Sequence, residues 1–386
     1  MIEPLRIAIL THSTNPRGGV VHALELGEAL GRLRHEPTVH APDATGAGFF
    51  RDASCRTACV AAAPAGRDVV AMVESRIADY LRHFESARNR QFDIWHAQDG
   101  ISGNALATLK ERGLIQGFAR TVHHVDMFDD ERLSALQLRS ITAAAALFVV
   151  SRVWRQWVGR ELGHDAHHVG NGVDMERFSP TPDATDLALR ARLGLSPGTP
   201  VFLAVGGVEE RKNTIRLLEA FQIVHARHSA CRLVIAGGAS LLDHGAYQER
   251  FSAVLAQSGL PDEAVIRTGP WPQELMPALY RAATTLVFPS TKEGFGLVVL
   301  EAMASGVPVV TSRIAPFIEY LGDDDVMWCD PFNPTAIAEA MSTSLDARCG
   351  ERLVARGLHV ARRHNWRTTA QAHLAVYDRL REAVHA

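Results

Sequence analysis

Short apolar runs alternate along this chain with longer stretches of helical spacing. Residues 6–10 (RIAIL) read as a strand, and the turn 15–19 leads from it into 20–34, where apolar residues recur at helical spacing. Residues 37–41 are another short strand, and strands at 92–97, 119–123 and 147–150 follow, each leading into a helical stretch. Turn-rich segments at 181–185 and 196–200 interrupt the alternation. It then restarts with strands at 201–205, 232–236, 265–268, 285–288 and 307–311, and helices at 214–227, 273–282 and 296–304. Strands alternating with helices imply parallel sheets joined by βαβ crossovers. Two successive α/β units with a linker near 175–198 fit the pattern, and 368–384 reads as a helix with no strand after it.

Composition narrows the classes. A length of 386 residues suits two domains. A net charge of −3 implies no basic surface, so nucleic acid is not an expected partner. No apolar stretch reaches the ~18 residues needed to span a bilayer. The first residues lack a basic segment, an apolar core and a cleavage site, so no signal peptide is expected and the cytoplasm is the expected compartment. Five scattered cysteines argue against a disulfide framework. Cys55 and Cys59 have the spacing of one helical face, but no second pair accompanies them as a zinc site requires. None of the 18 histidines forms His-Glu-x-x-His, and most read as surface residues. In 151–163 the stripe Val153, Trp154, Trp157, Val158 and Leu162 suits either a membrane-surface helix or a core-packed one, and core packing is favoured.

In parallel α/β sheets ligands bind at the carboxyl ends of the strands, so the loops after each strand carry the chemistry. After the strand 285–288 comes Glu293-Gly294-Phe295-Gly296-Leu297, a glycine turn opening a helix whose free N–H groups suit an anion. The plain alternative is a tight turn. Glu293 reads either as a helix cap or as a ligand contact, and Glu301, within an apolar helix, needs a basic partner or a ligand diol. Arg211 and Lys212 follow Gly206-Gly207 at the end of another strand, either to neutralise phosphate or as a solvated pair opposing Glu209 and Glu210. Gly18 and Gly19 form a similar turn in the first unit, without a dinucleotide fingerprint or a Walker loop. His96, Gln98 and His123 end strands there, and a lone histidine at such a place is more often structural. Asn171-Gly172 reads as an inter-domain turn.

Together these loops resemble the retaining glycosyltransferases of family 4. Glu293-Gly-Phe-Gly followed by Leu300-Glu301-Ala-Met-Ala-x-Gly-x-Pro-Val-Val-x-Ser is similar to that family's E-x7-E region, with Glu319 beyond it. Gly18-Gly19, His123, Asn171-Gly-Val-Asp174 with Phe178, and Arg211-Lys212 follow the same family order. Gly206-Gly207 departs from the Gly-Arg of many relatives, leaving Arg211 as a substitute cation. The resemblance implies a GT-B fold, two Rossmann-like α/β domains facing each other across a cleft: 1–176 on the acceptor side, 177–366 binding a nucleotide sugar, and 367–386 as a helix returning to the first domain.

It also implies transfer of a hexosyl group with retention from a UDP- or GDP-sugar to an unidentified glycan, lipid or small-molecule acceptor. Arg211, Lys212 and the helix start at Phe295, Gly296 and Leu297 would meet the diphosphate, with Gly294 in the same turn and Gly18-Gly19 approaching from the first domain. Glu301 would hold the ribose, and Glu293 and His123 the transferred sugar, making Glu293, His123 and Lys212 the catalytic set. The nucleobase would rest by the backbone near Trp271. No cofactor and no metal are expected, because cations take the metal's place. Peripheral membrane contact is not favoured. A nucleotide-sugar epimerase of the same fold and a non-catalytic sugar-nucleotide binding protein are the alternatives.

Overall fold

The computed structural model describes residues 3–64, 66, 68–238 and 245–385. Their strands form two parallel sheets. The first joins β1 (Arg6–Leu10), β2 (Glu36–Asp43), β3 (Arg56–Ala61), β4 (Ile94–Ala97), β5 (Ala119–Val122), β6 (Ala146–Val149) and β7 (His167–His168) in the order β3-β2-β1-β4-β5-β6-β7. The second joins β8 (Val201–Val205), β9 (Arg232–Ala236), β10 (Val265–Gly269), β11 (Thr285–Phe288), β12 (Val309–Ser312) and β13 (Met327–Cys329) in the order β10-β9-β8-β11-β12-β13. Each winds outward in both directions from its first strand. The order therefore reverses between β1 and β4 and between β8 and β11, which opens a crevice at the carboxyl ends of those strands.

The central strands were legible because both of their faces are covered. Every residue of β4, β5, β11 and β12 is buried, and most are apolar, so they stand out as short runs between helical stretches. β3, β7 and β13 gave no such signal. β3 and β7 are sheet edges with mostly exposed or half-buried residues, and β13 is three residues long. Cys59 lies in β3 and Cys55 in the loop before it, so they share no helical face. The helix Arg152–Leu162 buries Trp154 and Val158, with Val153, Trp157 and Leu162 packed around them, so the stripe does serve the core. Among the described residues no helix is long and apolar enough to cross a membrane.

The chain divides into two compact units, Met1–Asn171 with Trp366–Ala386, and Gly172–Asn365. The segment expected as a linker at 175–198 belongs to the second unit. Its helix Thr185–Arg192 packs on the helix Met276–Ala282, where Arg281 pairs at 2.6 Å with both Asp183 and Asp186. The unit boundary lies earlier because the Val173 amide already donates to the His364 carbonyl at 3.0 Å.

In the first unit the last helix, Trp366–His385, covers the helix Gly18–Arg32 together with β4 and β6. It buries Trp366, Ala370, His373, Val376 and Tyr377. Deleting 366–385 is expected to reduce hydrogen-exchange protection of β1, β4 and β6 by about tenfold or more while β8, β11 and β12 keep theirs. Unchanged protection of β4 and β6 would show that this helix is dispensable to the first unit.

Candidate active site

In the second unit, the loops after the neighbouring strands β8 and β11 meet at the switch point. Asn213 holds them together. It adopts a left-handed backbone (φ 59°), and its buried Nδ2 donates to the Pro289 carbonyl at 3.0 Å and to the Pro331 carbonyl at 2.6 Å. The Thr291 amide adds a bond to the Arg211 carbonyl at 2.9 Å. This stitching brings Lys212 Nζ to 2.6 Å from Glu293 Oε1, and Arg211 Nη1 to 3.1 Å from the same oxygen. Arg211 also reaches Glu209 at 3.3 Å.

Exposure separates the two cations. The Lys212 side chain is 11% exposed and that of Glu293 8%, whereas Arg211 is 43% exposed. Lys212 is therefore the anchored cation and Arg211 the one turned toward solvent; the reading of both as a solvated pair does not hold for Lys212. Burial pulls the Lys212 ammonium down to about 8, against the opposing charge of Glu293. Burial pushes the Glu293 carboxyl up, but the charges of Lys212 and Arg211 outweigh it and leave it below the ordinary range. At neutral pH the pair is ionised.

The helix that follows is Leu297–Ala304, and no side chain caps its first turn. Its N-cap is Gly296 at φ 91°, where a Cβ would stand 2.5 Å from Phe317 Cε1. Glycine is required there on both counts. Phe295 stacks on Tyr320 at 4.7 Å between centroids. Half-buried Gly294 links Glu293 to this turn. One turn into the helix, Glu301 Oε2 accepts from Tyr280 Oη at 2.7 Å. Burial raises the Glu301 carboxyl above its ordinary range, with Tyr280 and Arg177 working against the shift. Phe178 packs edge-on to Tyr280 at 5.8 Å, so the Asp174-to-Phe178 stretch buttresses Glu301.

Trp271 follows β10, three strands from β11 and so about 14 Å across the sheet. Its indole is buried, with the Arg192 guanidinium 4.6 Å above the ring. The loops after β8 and β9 interlock through glycine backbone. A Cβ on Gly207 would meet the Gly238 carbonyl at 2.8 Å, and one on Gly206 would meet Lys212 Cε at 2.7 Å. The departure from a Gly-Arg pair at 206–207 thus coincides with a site where position 207 has φ 77° and no room for a side chain. Gly237-Gly238 was not singled out from the sequence, although a glycine pair directly after a strand was the signal used elsewhere.

In the first unit, Gly18 and Gly19 are the first residues of the helix Gly18–Arg32 rather than a turn before it, and no side chain caps that helix. Position 19 faces His123, with a Cβ there 3.5 Å from His123 Cδ2. The expectation that most histidines lie at the surface does not extend to four of them. His22, His40, His96 and His373 are buried. His22 stands edge-on to His123 at 4.8 Å and to Trp366 at 5.3 Å. Asn171 is more than a turn residue: its Oδ1 lies 2.7 Å from His22 Nδ1. Among the described residues no group of three His, Cys, Asp or Glu is placed to hold a metal ion.

Arg211, Lys212 and Glu293 are thus in mutual contact, with Phe295, Gly296 and Leu297 next in chain. Gly19 and His123 face each other in the other unit, while Glu301 and Trp271 have their own partners.

Comparison with known proteins identifies the family. The family model described as "Glycosyl transferases group 1" matches residues 186–368, and that described as "Glycosyltransferase Family 4" matches 16–177. A D-inositol 3-phosphate glycosyltransferase of Acidothermus cellulolyticus is 35% identical over 53% of this chain, but the match spans about half of that relative (46%). The same-named protein of Corynebacterium jeikeium is 32% identical over 76% of this chain and 69% of its own length. Among solved structures, sucrose-phosphate synthase from Thermosynechococcus elongatus superposes with a TM-score of 0.80 at 21% identity, covering 98% of this chain and all of that one (100%). HepE from Anabaena, in complex with UDP and glucose, gives 0.77 at 16% identity over 97% of this chain and 99% of its own. The two parallel-sheet units are those of the GT-B fold, and the chain belongs to glycosyltransferase family 4.

Proposed function

We propose that this protein transfers a hexosyl group from a UDP- or GDP-sugar to an acceptor hydroxyl with retention of configuration. The observation that carries the reading is the buried Lys212–Glu293 pair, 2.6 Å apart, at the switch point beside an uncapped helix N-terminus. A helix N-terminus and two cations form a site for a diphosphate, and a carboxylate fixed by one of those cations cannot drift into it. Arg211, Lys212 and the amides at Phe295–Leu297 hold the leaving diphosphate. Glu293 accepts from hydroxyls of the transferred sugar. Glu301, with one oxygen on Tyr280, offers the other to the ribose, and the nucleobase lies against the backbone at Trp271. In the first unit, Gly18-Gly19 and His123 are the candidate donor-binding residues. The bond from the anomeric carbon to the diphosphate oxygen breaks, a bond to the acceptor oxygen forms on the same face, and the acceptor proton passes to the leaving phosphate. Catalysis is then positioning and charge stabilisation, with protein cations in the metal's place. Because curated relatives carry names built on inositol 3-phosphate and mannosylfructose-phosphate, phosphorylated polyols and sugars are the acceptors to try first.

Thermal-shift screening against UDP, GDP, UDP-glucose and GDP-mannose identifies the donor, since a ligand at a hundred times its dissociation constant stabilises by about 2.7 kcal/mol. No shift with any of them would remove the donor assignment. With the donor in hand, Glu293→Gln and Lys212→Ala are each expected to lower turnover by roughly 10²–10³-fold with circular dichroism unchanged. Wild-type turnover in both would sink the site, and anomer analysis of the product by NMR decides retention. EDTA is expected to leave the rate unchanged.

The pH profile supplies a separate check. Lys212 loses its proton as pH rises through about 8, so kcat/KM falls above that value. Lys212→Arg retains its charge, and in that variant the alkaline limb moves to higher pH. An identical limb in wild type and variant would show that another group titrates.

A further inference from the structure

Behind His123 lies a hydrogen-bonded chain that ends on the last helix. His123 Nε2 is 2.9 Å from Gln98 Oε1. Gln98 Nε2 lies 3.4 Å from the ring nitrogens of His96. His96 Nε2 is 2.7 Å from Thr121 Oγ1, and His96 Nδ1 is 2.6 Å from Tyr377 Oη. Gln98, His96, Thr121 and Tyr377 are each at most 2% exposed. The Gln98 backbone is anchored at the end of β4, where its main-chain N–H donates to the Leu10 carbonyl at 2.9 Å and lies 3.2 Å from Ser102 Oγ.

A glutamine carbonyl oxygen accepts and never donates, so the proton between these groups belongs to His123 Nε2. The other ring nitrogen, Nδ1, then carries a lone pair, and the described residues supply it with no hydrogen bond. We propose that Gln98, backed by His96 and Tyr377, is a positioning residue that orients His123 and fixes its tautomer, so that Nδ1 accepts a hydrogen bond from a hydroxyl of the donor sugar. This rests on the reading of His123 as a sugar-side group. Burial, followed by His22, Arg120, His124 and His96, holds His123 well below the usual histidine range, so the ring stays neutral and the lone pair remains available.

The consequence is specific to the sugar. On this reading only the sugar of UDP-glucose reaches His123, and UDP alone leaves it untouched. In a long-range 1H–15N spectrum of histidine-labelled protein, with the His123→Ala spectrum for assignment, His123 is expected as the Nε2–H tautomer; an Nδ1–H tautomer would overturn the proposal without any variant. Titration calorimetry with UDP and UDP-glucose (GDP and GDP-mannose if the screen selects guanine) then separates the roles. Gln98→Leu is expected to bind UDP as the wild type does and UDP-glucose about tenfold more weakly. Gln98→Glu keeps an acceptor for Nε2–H and is expected to restore UDP-glucose binding at alkaline pH. It should lose that binding again as pH falls, because the carboxylate raises the imidazole pKa and Nδ1 takes a proton. If His123→Ala weakens UDP-glucose while Gln98→Leu, folded by its melting curve, does not, the positioning role fails and the sugar-side reading stands. If His123→Ala leaves the ratio of UDP-glucose to UDP affinity unchanged, the sugar-side reading itself fails.

Discussion

Much of the second unit's candidate site depends on one buried ion pair. Taking an ammonium and a carboxylate out of water costs several kcal/mol for each ion, and attraction repays this only when the geometry is held. Lys212 and Glu293 come from loops 81 residues apart, so neither loop can hold the pair alone. Asn213 solves this by binding the backbone of the opposing loop directly, one residue after the lysine. The charge pair and the amide bridge are thus one construction: the bridge sets the distance, and the charges make the closed arrangement favourable.

The glycines act on the same economy of space. Gly206 and Gly207 lie against Lys212 and Gly238, and Gly296 lies against Phe317. At each place a neighbour occupies what a side chain would fill: the Lys212 stem at Gly206, the Gly238 backbone at Gly207 and the Phe317 ring at Gly296. Arg211, at 43% exposure, is the solvent-facing complement to this frame.

How far the sequence could be read follows from what each residue's neighbours are. β8, β9, β11 and β12 were readable because burial on both faces writes itself as apolar runs, and the loops after β8 and β11 were readable because glycine, lysine and glutamate stand out against those runs. Partnership was not readable. Nothing around Glu301 names Tyr280 as its partner, and nothing around Lys212 shows that it, more than Arg211, is the buried cation. The histidine cluster was not readable for the same reason. His22 and His373 are 351 positions apart in sequence, and only folding brings their rings to a 5.8 Å centroid separation. Edge strands such as β3 escaped because an exposed strand carries little apolar pattern.

The last helix has a consequence for how the chain comes to be folded. The first unit is discontinuous in sequence: the helix carrying Tyr377 packs on a sheet whose strands all lie before residue 172. Domains generally fold as units while the chain emerges from the ribosome, N-terminal parts first. Here the unit that begins first cannot finish first. Its face around His96 waits, open, for a segment made after the whole of the second unit, whose own sheet is contiguous and complete by then. The later-made half is thereby the earlier to be finished, and the exposed face of the first half is what a chaperone would meet during synthesis.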